Sequence, residues 1–170
     1  LMPVYDCLPF YIAEEFNIYD SLKADIRFVT YNAAMDCDTA FMGKNTDGLA
    51  TDLCHALILK NKGYSLSVIM QTYGKQFLVC SRDIRIKKIR DLKDRMIAIA
   101  RNDQSKMILE YILDKNKVNK DIIYLPQINN IYTRYMMLNN GQIDAAILHE
   151  PYATLASIKK NTLLTRSDEI

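Results

Sequence analysis

Gly141-Gln-Ile-Asp-Ala-Ala-Ile-Leu-His-Glu-Pro-Tyr-Ala153 decides the fold. A turn at Asn139-Asn140-Gly141 leads into a buried strand over Ile143 to Leu148, and a helix follows from Pro151. Asp144 lies near the strand's start and Glu150 at its carboxyl end. A polar group just past a parallel strand, beside a helix N-terminus, is where open α/β sheets bind ligands. An earlier stretch, Asn45-Thr-Asp-Gly-Leu-Ala-Thr-Asp52, is built the same way. Two such units predict two similar lobes facing a cleft.

The same rhythm extends outward in both directions. Leu1 to Val4 reads as the tail of a strand, and Leu8 to Phe16 as a helix with Pro9 in its first turn. Asp25 to Tyr31 alternates and is rich in β-branched and aromatic residues, so a strand is expected there. Ala33 to Met42 reads as a helix closed by Gly43, Asp47 to Leu53 as a buried strand, and His55 to Lys62 as a helix ended by Gly63. Leu66 to Gln71 and Gln76 to Cys80 read as consecutive strands around Gly74, a natural place to cross between lobes. Beyond the basic stretch Arg82 to Arg95, strands are expected at Met96 to Ala100, Asp121 to Leu125 and Leu163 to Thr165. Helices are expected at Ser105 to Leu113, Ile131 to Leu138 and Tyr152 to Lys160. Strand and helix alternate almost throughout, which implies βαβ units and a mainly parallel sheet.

Composition narrows the function. With 49% apolar and 25% charged residues, the 170-residue chain fits a soluble globular class. A chain this long buries roughly 70% of its unfolded surface. A net charge of only +2 gives no footprint for a polyanion. Acids at Asp83, Asp91 and Asp94 dilute the basic stretch, so no nucleic-acid partner is expected and a solvated face is. Cys7, Cys37, Cys54 and Cys80 show no C-x-x-C pairing and read as free thiols. No apolar run approaches the roughly 18 residues of a membrane helix. The chain opens on Leu1-Met2-Pro3 with no visible signal peptide and stops at Ile170 without a terminal helix, so further chain is expected at both ends.

Several segments, taken together, resemble the substrate-binding proteins of ABC transporters. The similarity is to the two-lobed type that serves nitrate, sulfonates, taurine and thiamine pyrimidine precursors. The segments are Tyr11-Ile-Ala-Glu-Glu15 followed by Asn17-Ile18-Tyr19, Thr46-Asp-Gly-Leu-Ala-Thr-Asp52, Ile89-Arg-Asp-Leu-Lys-Asp94, Met96-Ile-Ala-Ile-Ala100, Gly141-Gln-Ile-Asp-Ala-Ala146 and Glu150-Pro-Tyr-Ala153. Each alone is weak; in this order and spacing they are specific for a fold and much less so for a ligand. The resemblance implies an α/β, two-lobed, periplasmic-binding-protein-like (type II) architecture. It places a first lobe at residues 1–80, a second at 81–165, and the start of a return crossing at 166–170. It further implies a monomeric, periplasmic or extracytoplasmic protein, anchored by an amino-terminal lipid in its full-length form, that delivers a small molecule to a membrane permease. One departure is small: the family's usual Gly after the second helix-to-strand turn is absent where this chain runs Gly43-Lys-Asn45.

On that fold, candidate ligand-binding residues fall past the carboxyl ends of strands. They are Tyr5, Asp6, Tyr31, Asn32, Thr51, Asp52 and Tyr73 in the first lobe, and Asn102, Asp103, Ser105, Asn129 and Glu150 in the second. Capping competes with binding at Asp6, Asp52, Asp103, Ser105 and Asn129 or Asn130. The set is acidic and tyrosine-rich, with Arg101 the one base placed nearby. Sulfonate or nitrate would call for positive donors, because an unpaired buried like charge is costly. Carboxylates with tyrosines suit a flat ring bearing amino groups, such as an aminopyrimidine.

An enzyme reading has less to stand on. His55 follows Cys54, but adjacent helical residues point apart, and His149 reads as a polar lining group. H-E-x-x-H, G-x-S-x-G and P-loop motifs are absent, so no catalytic residue, cofactor or metal site is assigned. Some menaquinone and thiamine-precursor biosynthetic enzymes share the fold, and a fold does not fix function. A sulfonate- or nitrate-binding protein is the other alternative.

Overall fold

A computed structural model describes residues 1–18 and 25–169. Tyr19, the end of one family-like segment, and Ile170, the end of the expected return crossing, lie outside the described residues. The chain divides into two compact units, Leu1–Gly74 and Lys75–Ile170.

The second unit is built on a sheet. Among the described residues its strands are β1 (Gln76–Cys80), β2 (Ile97–Ala98), β3 (Ala145–His149) and β4 (Thr162–Arg166), in the order β2-β3-β1-β4. β2 runs parallel to β3, whereas β1 runs antiparallel to both β3 and β4. The expected mainly parallel sheet is therefore mixed. The reason lies in Gln76–Cys80, which inserts between β3 and β4 instead of following a crossover helix. β1 lies wholly within the second unit, which begins at Lys75.

Every residue of β1 and β3 is buried. One face, with Leu78, Cys80, Ala145 and Ile147, packs with Ile97 and Ile99 into a core that includes Leu109, Ile112 and Leu113 of helix α4 (Gln104–Lys115), with Ile86, Leu92, Val118 and Ile123. Helices α5 (Ile131–Asn139) and α6 (Tyr152–Ile158) also pack on β3, and Ala153 and Ala156 of α6 are fully buried. Small residues at 145, 146, 153 and 156 let a helix approach a strand closely. The expected strand at Asp121–Leu125 is instead a 3-10 turn over Lys120–Ile122. It is followed by extended chain that bridges in parallel at Met96–Tyr124 and Ile99–Gln127.

The first unit holds α1 (Leu8–Glu15), α2 (Ala34–Met42) and α3 (Leu53–Asn61). The strands expected at Asp25–Tyr31, Asp47–Leu53 and Leu66–Gln71 do not form ladders among the described residues. The backbone of residues 25–31 pairs with Leu1. Its amino group donates to the Val29 carbonyl at 2.8 Å, and its carbonyl accepts from the Tyr31 N–H at 2.8 Å. Leu53 opens α3 and is exposed, and Val68 and Ile69 are 85% and 95% exposed. Alternation shows that a segment suits a pleated, half-buried surface; a ladder still needs a partner. Gly43 sits at φ −78° and the left-handed residue that closes α2 is Lys44 at φ +58°, whereas α3 uses Gly63 at φ +91°.

Gly141 opens the turn into β3 at φ +66°, and a Cβ there would lie 2.8 Å from Asp83 Oδ2. Gly141→Ala is expected to cost about 1–2 kcal/mol from the left-handed backbone alone, read as a lowered urea midpoint. A midpoint equal to the parent's would contradict a requirement for glycine.

Cys80 is fully buried, and desolvation first, then the charge of Asp144, pushes its thiol from 9.0 up to about 12. Its contribution to stability is intact below pH 9.0 and is lost as pH rises toward about 12, because the unfolded thiol ionises first. In the folded chain at pH 8, Cys80 is expected to resist a thiol reagent that labels the half-buried Cys54. Comparable labelling of both would show that the core opens.

Candidate functional site

In the second unit, the carboxyl ends of β2 and β3 set out a rim. Three connections leave it: residues 99–103 into α4, residues 126–130 into α5, and Glu150–Pro151 into α6. Asp103 is the N-cap of α4. Its Oδ1 accepts from the Ser105 N–H at 2.7 Å and pairs closely with the Ser105 hydroxyl. Ser105 Oγ in turn accepts from the Ala100 N–H at 3.0 Å, fastening the loop to the strand end. Asn102 adopts φ +60° and is exposed at the tip. Asn129 Oδ1 accepts from the Arg101 N–H at 2.9 Å, which ties the first connection to the second. Asn130 caps α5 through the Thr133 N–H at 3.0 Å.

Glu150 serves the third connection. Its two oxygens accept from the Thr154 N–H and hydroxyl, each at 3.0 Å. A carboxylate there also gains from the partial positive charge of a helix start. Tyr152 packs with Tyr132 and Tyr135, with ring centroids 6.3 and 5.7 Å away, so an aromatic cluster flanks Glu150. Hydrogen bonds through Ala100 and Arg101 thus tie Asp103, Ser105 and Asn129 along one rim, Asn102 lies on the same connection, and Glu150 ends the strand beside them.

In the first unit the candidates are more scattered. Tyr5 and Asp6 lie in a 3-10 turn over Tyr5–Cys7. The Asp6 carboxylate lies so close to Gly74 that any Cβ at position 74 would collide with it, which also brings Asp6 near the exposed Tyr73. Tyr31 and Asn32 stand beside Leu1. Asp52 caps α3 by accepting from the His55 N–H at 3.0 Å. Thr51 Oγ1 is buried with no hydrogen-bond partner among the described residues.

Three buried polar groups escaped sequence reasoning. Asp38 of α2 pairs closely with Nδ1 of His55 of α3, and both are buried. His55 thus has a carboxylate partner from the neighbouring helix. Arg134 of α5 is buried and donates to the Ile147 carbonyl of β3 at 3.0 Å. Burial pushes its pKa down, and the charge of Asp103 opposes that shift. Arg101 is therefore not the sole base near the rim. The signal for Arg134 was available, since Ile131, Arg134, Tyr135 and Leu138 follow the i, i+3, i+4, i+7 spacing of a buried face. Gln76 is 3% exposed at the start of β1.

Among the described residues, no group of three or more His, Cys, Asp or Glu is gathered as a metal ion would need, and no helix is long and apolar enough to cross a membrane.

The family model described as NMT1/THI5 like matches residues 5–165. The chain belongs to the NMT1/THI5-like family. No curated protein sequence matches it. Among solved structures, it is similar to the alkanesulfonate-binding protein SsuA from Xanthomonas axonopodis pv. citri bound to MOPS. That match has 18% identity and TM-score 0.80, over 98% of this chain and 59% of that one. It is also similar to the ligand-binding component of an ABC-type import system from Staphylococcus aureus with zinc bound, at 15% identity and TM-score 0.85, over 99% and 60%. The periplasmic aliphatic sulphonate binding protein SsuA from Escherichia coli follows at 16% identity and TM-score 0.74, over 95% and 57%. At these identities the likeness shows the fold, the mixed α/β arrangement of periplasmic binding proteins. The chain spans about three fifths of the length of these structures.

Asp103→Ala removes the α4 cap and leaves the Ser105 N–H without its acceptor. A loss of about 0.5–2 kcal/mol is expected, measured by urea unfolding. An unchanged midpoint would contradict the capping role.

Proposed function

We propose that this protein is the solute-binding component of an ABC importer and captures a small molecule without chemical change. The observation that carries the reading is the family match over residues 5–165, on a chain whose polar groups line the carboxyl ends of β2 and β3. Open α/β folds bind ligands there because helix N-termini and loop amides are left for a guest. In this reading Asn102, Asp103, Ser105, Asn129 and Glu150 form the second unit's ligand-facing rim. Tyr5, Asp6, Tyr31, Asn32, Thr51, Asp52 and Tyr73 are their counterparts in the first unit. The units close on the ligand, and the closed form docks on a permease outside the cytoplasm.

The preferred ligand is a nitrogen-containing ring of the aminopyrimidine kind. Asp103, Glu150 and the tyrosines at 132, 135 and 152 support it, since carboxylates accept from ring amino groups and tyrosines stack on a ring. The sulfonate alternative draws on two sulfonate-binding proteins of the same fold and on the buried cation Arg134.

A thermal-shift screen of the full chain against 4-amino-2-methylpyrimidine, thiamine, taurine, nitrate and simple amines tests this reading, because binding to the native state raises the melting temperature. A rise with the aminopyrimidine supports the proposal. A rise with taurine alone overturns the ligand and keeps solute binding. Steady turnover of a bound compound would favour the biosynthetic-enzyme alternative. Glu150→Ala and Asp52→Ala are each expected to weaken binding by about tenfold or more, roughly 1.4 kcal/mol. Normal affinity in both variants would misplace the site.

A further inference from the structure

Gln76 opens β1 at the same end of the sheet as His149, its antiparallel partner across from the last residue of β3. Residues alternate faces along a strand, so Gln76 and His149 continue the face that holds Leu78, Cys80, Ala145 and Ile147. The two stand where that apolar core gives way to the rim, one residue before Glu150. Gln76 is 3% exposed and His149 8%.

The strand start is firmly held. The Gln76 N–H donates to Ser167 Oγ at 3.1 Å, and Lys75 pairs with Asp168 at 2.6 Å. The side chain is different: both Oε1 and Nε2 are buried, and neither has a hydrogen-bond partner among the described residues. A buried amide with neither its donor nor its acceptor engaged is costly, and an apolar side chain of the same length would avoid that cost. The neighbouring polar groups on the rim, Asp103, Ser105, Asn129 and Glu150, are all engaged. Among the described residues, Gln76 combines near-complete burial with a donor and an acceptor both left open, at the end of the sheet where such folds receive ligands.

We propose that Gln76 is a specificity-determining residue whose side-chain amide forms paired hydrogen bonds with a planar ligand edge carrying an N–H donor beside an acceptor. An amino group next to a ring nitrogen offers that edge, as does a primary amide. The amide Oε1 accepts from the ligand N–H while Nε2 donates to the adjacent acceptor. Glutamine reads adenine's amino group and ring nitrogen through the same pairing. A sulfonate offers acceptors only and would leave Oε1 unsatisfied. The proposal rests on the solute-binding reading above and narrows it to one recognition contact.

The test compares the parent chain with Gln76→Met and Gln76→Glu. Melting is followed without ligand, and calorimetric titration is done with 4-amino-2-methylpyrimidine and with taurine. Met keeps the length and removes both polar atoms; Glu keeps the acceptor and loses the donor. The expected result is aminopyrimidine binding by the parent, weakened about tenfold or more in both variants, with the ligand-free melting temperature of Gln76→Met unchanged or raised. A lowered ligand-free melting temperature in Gln76→Met would show a structural amide and overturn the proposal. Equal aminopyrimidine affinity in parent and variants would overturn it too, while leaving solute binding in place. Binding of taurine but not the aminopyrimidine by the parent would overturn both the proposal and the ligand reading it rests on.

Discussion

The central position of β3 is the constraint on which the second unit depends. A strand with a neighbour on each side must satisfy every backbone group by pairing and bury both faces. Ala145-Ala-Ile-Leu-His149 meets both demands, parallel to β2 and antiparallel to β1, with no exposed residue. Its start is fixed by Asp144, whose Oδ2 accepts from the Met96 N–H at 2.8 Å while its carbonyl accepts from the Ser81 N–H at 2.8 Å. Arg134 holds it from α5 through the Ile147 carbonyl. Once β3 is placed, its carboxyl end brings His149 and Glu150 to the rim.

The rim illustrates how one residue serves folding and presents chemistry at once. Asp103, Asn130 and Glu150 satisfy helix starts that would otherwise keep unpaired N–H groups. Those bonds also hold the connections at the height where a guest would meet them. Capping and recognition are thus not exclusive at these positions. A group that only caps loses little when a guest arrives, whereas a group left unsatisfied has something to gain. Gln76 and the hydroxyl of Thr51 belong to that second kind.

The second unit was legible in the sequence because its signals are local and reinforce one another. The turn at Asn139-Asn140-Gly141, the unbroken apolar run before His149 and the Pro after Glu150 each gave the same reading, and β3 and α6 form there. The i, i+3, i+4 spacing found α4 and α5 to within a few residues. Strand direction was less legible: Phe77–Cys80 is apolar throughout, and nothing within it says that it lies antiparallel between β3 and β4. In the first unit, Asp25–Tyr31 and Leu66–Gln71 carry the alternation of strands, but a ladder is a property of two segments. The buried polar groups were hidden for a related reason. Asp38 and His55 are 17 positions apart and meet only when α2 packs on α3, and Gln76 looks like an ordinary surface residue until its strand is buried, whereas Arg134 lay on a legible helical face.

The central claim is that a small molecule binds at the carboxyl ends of β2 and β3. Hydrogen–deuterium exchange of the full chain, with and without saturating 4-amino-2-methylpyrimidine, tests it most directly. A guest at the rim slows exchange of the amides it covers and of the connections it steadies. The account predicts added protection concentrated at residues 100–105, 127–130 and 149–154, with the α4 C-terminus and β4 unchanged. Protection confined to segments away from these connections, or no change at saturation, would contradict it.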